Sequence, residues 1–236
     1  GGAISVSDIQ KATALPKPTV YRLCSALADH QLIDNDEDNV RYVIGERLIR
    51  IALLGKSDVD VRNVAAPILA KSAINFGETV YLSRYRTGGI DIIHVETPND
   101  PTRGHIYPGL GALPHNCMAS AFVMAAFAED TFSKEIINNV INPFKETRNN
   151  AQGSVPANLD HIRKTGFAHI EQTTEFGATS ISAPISIGTL GATFAIGVVG
   201  PNDRLLEETT RHVGKELIKI SSQVCGAIQL CNVSEV

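Results

Sequence analysis

Lys17, Pro18, Thr19, Tyr21 and Arg22 bring two cations, a hydroxyl and a phenol into six consecutive positions. Cations meet phosphate, and hydroxyl and guanidinium groups reach base edges, so the stretch suits double-stranded DNA. A second set, His115, Asn116 and Cys117, holds a thiol beside a base. That is raw material for nucleophilic catalysis, but sequence neighbours rarely adopt the required geometry, and a free cysteine is most often a small buried thiol. The buried thiol is the better reading, and no enzyme activity is expected. His94, His105 and His115 show neither HExxH nor HxH spacing, so structural roles are expected rather than metal ligation. The run from Glu171 to Glu175 offers carboxylates for acid–base chemistry, and a solvated turn accounts for it equally. Gly109-Leu110-Gly111 lacks the rest of a phosphate loop or dinucleotide fingerprint, so no cofactor is expected.

The first set needs a helix to present it. Ser7-Asp8-Ile9-Gln10-Lys11-Ala12-Thr13 opens on a serine able to cap a helix and spaces Ile9 and Ala12 on one face. A second helix is predicted from Pro18, where the missing N–H would be unpaired anyway, with Val20, Leu23 and Leu27 as its buried stripe. The tight Ala14-Leu15-Pro16-Lys17 connection makes the pair a helix-turn-helix. Leu32-Ile33-Asp34 and Val40-Arg41-Tyr42-Val43-Ile44 read as strands around a turn-rich tip, forming a wing. In such a module the second helix enters the major groove. Its first turns, Lys17 to Arg22, are the candidate contacts, and Arg41 at the wing base is another. Residues 1–56 hold seven basic and seven acidic side chains, the acidic ones gathered at the wing tip. The helix, not the tip, is therefore expected to meet phosphate. Winged helices also dock proteins, and a ligand-binding interaction module of that kind is the alternative function. Only Gly1 to Ser5 precede the first helix, so the helix that normally packs beneath such a pair is expected to be missing.

Glu46 to Leu54 reads as an amphipathic linker helix, and Val61 to Phe76 as a second helix with Val64, Ile68 and Leu69 inward and Gly77 as cap. Apolar connectors of this kind usually pair between subunits, and a two-fold dimer suits a palindromic operator. Beyond Glu78 the period becomes that of strands: a hairpin of 79–85 and 90–96, then a strand over 104–107. A small-residue helix follows over 116–128, with polar helices near 134–140 and 159–165. Strands over 167–171, 180–187 and 192–199 and a long helix over 205–230 close the chain. Hairpins with helices segregated around them indicate an α+β fold on an antiparallel sheet. Three parts are expected: a winged helix-turn-helix over 1–45, a linker helix over 46–60 and an effector-binding domain over 61–236. Within the last, Asn116, Ser120, Gln172, Ser180 and Ser182 fall at strand ends and helix starts beside Met118, Ile181 and Val199. Such a lining binds a small molecule rather than transforming it.

The bulk numbers agree with two cores. The 236 residues are 43% hydrophobic and 19% charged, with a net charge of −4, so DNA contact must come from a local constellation. Four scattered cysteines without a CxxC pair read as reduced thiols. No apolar run approaches the ~20 residues needed to cross a bilayer, and a cytoplasmic protein is expected.

These pieces together resemble the IclR-type transcription regulators almost end to end. The likeness lies in 15–23 (LPKPTVYRL), Leu32-Ile33 and the wing ending Arg41-Tyr42-Val43-Ile44-Gly45. It continues in Leu113-Pro114, Gly166-Phe167-Ala168, 177–185 (GATSISAPI), Gly200-Pro201 and Arg204-Leu205. The resemblance implies a winged helix, a GAF-like effector domain and a homodimer or dimer of dimers. It also implies a small organic acid or aromatic effector, and repression of a catabolic operon as the usual role. Carried over position by position, it places ligand contacts at Asn116, Ala119 and Ser120, at Ser180 and Ser182, and at Gly197 and Val199. The chain departs from the family at Pro18, Asn116, Gln172-Thr173 and the apolar Ile196-Gly197-Val198-Val199. The last of these implies an effector less acidic than the family's simplest ones.

Overall fold

A short helix survives at the start because both of its ends are closed. Ser5, not Ser7, is the cap: its Oγ accepts from the Asp8 amide while the Asp8 carboxylate accepts from Ser5, a reciprocal capping box. In the computed structural model this strand-helix start reads β1 (Ile4–Ser5) and α1 (Val6–Thr13). The structure describes residues 3–36, 41–45, 47–48, 57–86, 89–100, 102–146, 155–172, 177–187 and 191–230. They form two units, 1–56 and 57–236. Most of the predicted linker helix over 46–54 lies outside the described residues.

In the first unit, α2 (Lys17–Asp29) begins one residue earlier than the sequence suggested, so Pro18 sits at the second helical position. Its buried residues are Val20 and Cys24. Leu23 and Leu27, predicted to be buried with Val20, are 45% and 40% exposed. They line an open apolar cleft of about 320 Å³ with Ile4, Ile9, Leu15 and Ile44. β2 (Ile33–Asn35) and β3 (Arg41–Ile44) form the wing, and β1 pairs with β3 to give the order β1-β3-β2. The two-residue β1 carried no strand period that a sequence could show.

The second unit opens with α3 (Asp58–Phe76), capped by Ser57 and closed by Gly77 in the left-handed region at φ 64°. Its buried stripe is Val61, Ala65, Leu69, Ser72 and Ala73; Val64 and Ile68, expected inward, are half-buried. β4 (Thr79–Arg86) and β5 (Gly89–Glu96) form the predicted hairpin. No strand occupies 104–107; the chain there is irregular, and a two-residue β6 (Gly111–Ala112) pairs with β5 instead. A 3₁₀ turn over His115–Cys117 leads into α4 (Ala119–Phe127). Then come α5 (Asp130–Ile136), a π turn over Ile137–Ile141, α6 (Asn142–Glu146) and α7 (Val155–Thr165). β7 (Ala168–Gln172), β8 (Ala178–Ser186), β9 (Ala192–Pro201) and the long α8 (Glu207–Leu230) complete the unit.

The six-stranded sheet has the order β6-β5-β4-β9-β8-β7, antiparallel throughout. Alternate residues point to opposite faces. One face, carrying Val80, Leu82, Ile181, Ala183, Ile196 and Val198, lies against the α3 and α8 layer. The other lies against α4, whose first eight residues are all buried. Just before β4 begins, buried Glu78 holds Arg204 of the turn after β9 through a 2.9 Å Nη2–Oε2 bond. No helix among the described residues is long and apolar enough to cross a membrane.

Candidate functional site

The first unit presents its polar groups outward. Lys17, Pro18, Tyr21 and Arg22 are exposed, and Pro18, Tyr21, Arg22 and Ser25 follow the i, i+3, i+4, i+7 spacing that shares one helix face. Burial of Val20 and Cys24 fixes which face that is. Lys17 Nζ stands 5.9 Å from the centroid of the Tyr21 ring. Thr19 is half-buried, its amide donating to the Pro16 carbonyl at 2.9 Å. Arg41 is exposed at the start of β3, where its own amide donates to the Asp36 carboxylate at 3.1 Å. Asp36 thus places a carboxylate at the wing base beside Arg41.

In the second unit the polar groups converge inside. Register aligns two rows across three strands: Ser182, Gly197 and Tyr81, and beside them Ser180, Val199 and Thr79. Side chains opposite one another on paired strands share a face, here the face against α4. The Ala119 amide at the start of α4 donates to Ser180 Oγ at 3.3 Å. Ser120 Oγ lies 3.0 Å from Ser182 Oγ and 3.4 Å from the Tyr81 hydroxyl. Ser182 donates to the Ile196 carbonyl at 2.9 Å, and Tyr81 to the Cys117 carbonyl at 3.3 Å. Ser120, Ser180, Ser182, Thr79, Tyr81 and Val199 are completely buried. Two polar atoms here are buried with no hydrogen-bond partner among the described residues, Thr79 Oγ1 and Asn116 Oδ1.

Sequence reasoning singled out most of this buried polar cluster. Ser120, Ser180, Ser182, Gly197 and Val199 come together, with Ala119 and Asn116 at the mouth of the helix. Ile181 does not join them: it pairs with Val198 on the opposite face. Met118 is buried in the cluster formed by α4 and the helices behind it, whereas Tyr81, Ile92, Cys117 and Val199 form a separate apolar cluster beside the hydroxyls. Gln172 pairs with Ala178 at the end of β7, and its side chain lies outside the described residues. Thr79 and Tyr81 were missed. The available signal was a polar residue at every second position of β4, Thr79, Tyr81 and Ser83, in a strand buried on both faces.

Burial pushes the Tyr81 phenol well above its ordinary range, so it stays protonated and donates. Burial likewise pushes the Cys117 thiol up, against a smaller opposing effect of its hydrogen bond with Tyr81. A thiol held protonated is a poor nucleophile. His115 packs edge-on against the Phe144 ring, centroids 5.4 Å apart. Cys24, Cys117 and Cys225 are free thiols. Among the described residues no cluster of His, Cys, Asp or Glu could hold a metal ion.

A helix-turn-helix unit followed by a unit built on a six-stranded antiparallel sheet is the plan of a two-part DNA-binding transcription regulator. Two family models match: the IclR helix-turn-helix domain over residues 1–37 and the bacterial transcriptional regulator IclR C-terminal domain over residues 55–226. The chain belongs to the IclR family of transcription regulators. It is 28% identical over 210 residues to the glycerol operon regulatory protein of Streptomyces coelicolor, covering 87% of this chain and 80% of that one. It is 24% identical over 209 residues to the HTH-type transcriptional repressor AllR of Escherichia coli, covering 88% and 77%. Among solved structures, an IclR-type regulator of Silicibacter shares the fold at TM-score 0.63 and 20% identity, covering 96% of this chain and 88% of that chain. An IclR homolog of Microbacterium hydrocarbonoxydans complexed with 4-hydroxybenzoate shares it at TM-score 0.54 and 19% identity, covering 97% and 92%.

Proposed function

We propose that this regulator is a repressor of a catabolic operon, and that a small organic effector bound in the hydroxyl-lined chamber controls its hold on a palindromic operator. The observation that carries the reading is the gathering of Ser120, Ser180, Ser182 and the unpartnered Thr79 and Asn116 oxygens in an apolar core. An unpaired buried polar group costs about 1–3 kcal/mol, and the core around it gains nothing from it. A ligand offering one or two polar atoms would offset that cost. The Thr79 hydroxyl and the Asn116 oxygen can meet such atoms directly, and the serine hydroxyls and the first amide of α4 by exchanging partners, while no lining side chain named here is basic. The effector is therefore weakly acidic or neutral. Ser120, Ser180, Ser182, Asn116 and Ala119 are its proposed polar contacts, and Gly197 and Val199 its apolar floor.

Relatives lend the rest: one regulates a glycerol operon, one is a repressor, and one structural neighbour holds 4-hydroxybenzoate. The protein acts as a homodimer or a dimer of dimers, each α2 entering a major groove of one half-site through Lys17, Pro18, Thr19, Tyr21 and Arg22, with Arg41 as an auxiliary phosphate contact. Titration of the full chain onto its own upstream DNA tests this. Specific binding that tightens or loosens with a small organic ligand is expected. Arg22→Ala should lower affinity about tenfold and reduce the salt slope by about one. Binding that is no better than to random duplex and insensitive to Arg22→Ala would instead favour a protein-docking winged helix.

A further inference from the structure

The hydroxyl cluster that we read as the effector chamber is occupied by a side chain of the protein itself. Tyr81 rises from β4 directly opposite Gly197 and is completely buried. A Cβ built on Gly197 would lie 2.3 Å from Tyr81 Cζ and 2.5 Å from its hydroxyl oxygen, closer than any side chain tolerates. Gly197 is thus the floor on which the end of the phenol rests, and no other residue type leaves room for it. The phenol also shares hydrogen bonds with its neighbours. Three hydroxyls carry three protons: that of Tyr81 goes to the Cys117 carbonyl, that of Ser182 to the Ile196 carbonyl, and that of Ser120 serves Ser182 and Tyr81. Ser120 and the Cys117 carbonyl are therefore one donor and one acceptor arranged around a phenolic oxygen.

Resting on the reading of the chamber as the effector site, we propose that Tyr81 decides which ligands it admits. Its ring fills the slot that an aromatic effector would need, so the native chain excludes single-ring aromatic ligands and takes small aliphatic molecules that fit beside the ring. Such a molecule reaches Thr79 Oγ1, Asn116 Oδ1 and Ser180, the polar groups that Tyr81 does not satisfy. Removing the ring converts the same slot into a receptor for a phenol, because the donor and the acceptor that served Tyr81 remain on Ser120 and Cys117. Exclusion here is steric and built on strand residues, so it does not depend on a loop closing.

Calorimetry and thermal shift on the full chain, with p-cresol as the probe, test the proposal. The native chain should bind p-cresol at least tenfold more weakly than Tyr81→Ala, and Tyr81→Phe, which keeps the ring, should stay closed. Tyr81→Val, a better strand former with a smaller void, takes the place of Tyr81→Ala if the latter does not fold, with phenol as its probe. Native binding of p-cresol or 4-hydroxybenzoate as tight as that of the truncated variants overturns the proposal, as does a folded truncation that binds neither ring. Operator affinity is read separately. If p-cresol binds Tyr81→Ala but leaves its hold on DNA unchanged, the plug stands and the effector role of the chamber falls. If a ring ligand binds the native chain and releases DNA, the effector role stands and the plug falls.

Discussion

The two units place function on opposite sides of their surfaces. In the helix-turn-helix unit α2 buries only Val20 and Cys24 and turns Pro18, Tyr21 and Arg22 to solvent. In the second unit the proposed ligand-binding groups are among the most buried of the described residues, inside a sheet and helix core of dozens of apolar side chains. An outward group costs the fold little and can be exchanged at little penalty. An inward hydroxyl must be hydrogen-bonded or leave a deficit. The difference teaches that the proposed DNA contacts are a matter of surface composition, whereas the proposed ligand contacts are part of what holds the domain together. Changes in the second unit should therefore be felt as stability, and changes in the first as affinity.

Three substitutions sharpen or break that contrast, each followed by hydrogen exchange read segment by segment. The largest effect is expected from Glu78→Gln. Removing a buried carboxylate leaves the Arg204 guanidinium without its counter-charge, a loss of about 3 kcal/mol confined to the sheet unit. Equal loosening of α1 and α2 would show that the units do not behave separately. Next comes Gly197→Ala, whose methyl strikes the Tyr81 ring and should cost about 2 kcal/mol. In a Tyr81→Ala background the same change should cost less than about 0.5 kcal/mol, a coupling that only direct contact produces. Additive costs would separate the two residues. The smallest is Ser5→Ala, which removes the capping box and should cost about 1 kcal/mol, confined to α1.

Acid supplies a reversible version of that last change. The Ser5 hydroxyl and then its amide hold the Asp8 carboxyl below the ordinary aspartate value of 3.8. A carboxyl depressed in the folded state adds stability that is fully present above 3.8 and is lost as the pH falls through its lower folded value. Exchange protection in α1 should therefore weaken below about pH 4, and Asp8→Asn should abolish that dependence.

Legibility followed the same division. α2, the wing and the hairpin of β4 and β5 each carry a period or punctuation within a few residues, so the sequence displays them. The true cap, Ser5, stood two residues from the serine chosen, because any of several small polar residues satisfies the cap pattern. The buried stripe of α2 was misassigned because helical spacing alone does not say how much partner surface covers Leu23 and Leu27. Ser180 and Ser182 were singled out as polar residues at strand ends, and Gly197 only through family likeness. Tyr81 and Thr79 were not, since their role arises from the alignment of β4 with β9 more than a hundred residues away, a pairing no local window contains. Ile181 was placed on the wrong face although Ser180, Ser182 and Ser186 alternate with Ile181, Ala183 and Ile185 along β8, an alternation that sorts Ile181 to the opposite side.

The row from Ser182 through Gly197 to Tyr81 also bears on how such a regulator could change its diet over evolutionary time. Its members sit on neighbouring strands of a rigid sheet, so a new ligand shape would arise by trading volume between two opposed residues while the backbone keeps its course. A larger residue at 197 with a smaller one at 81 would move the empty space across the chamber without enlarging it. Neither change alters the residues of α2, so under the proposed function a lineage could exchange its effector in a few paired steps while still reading the same stretch of DNA.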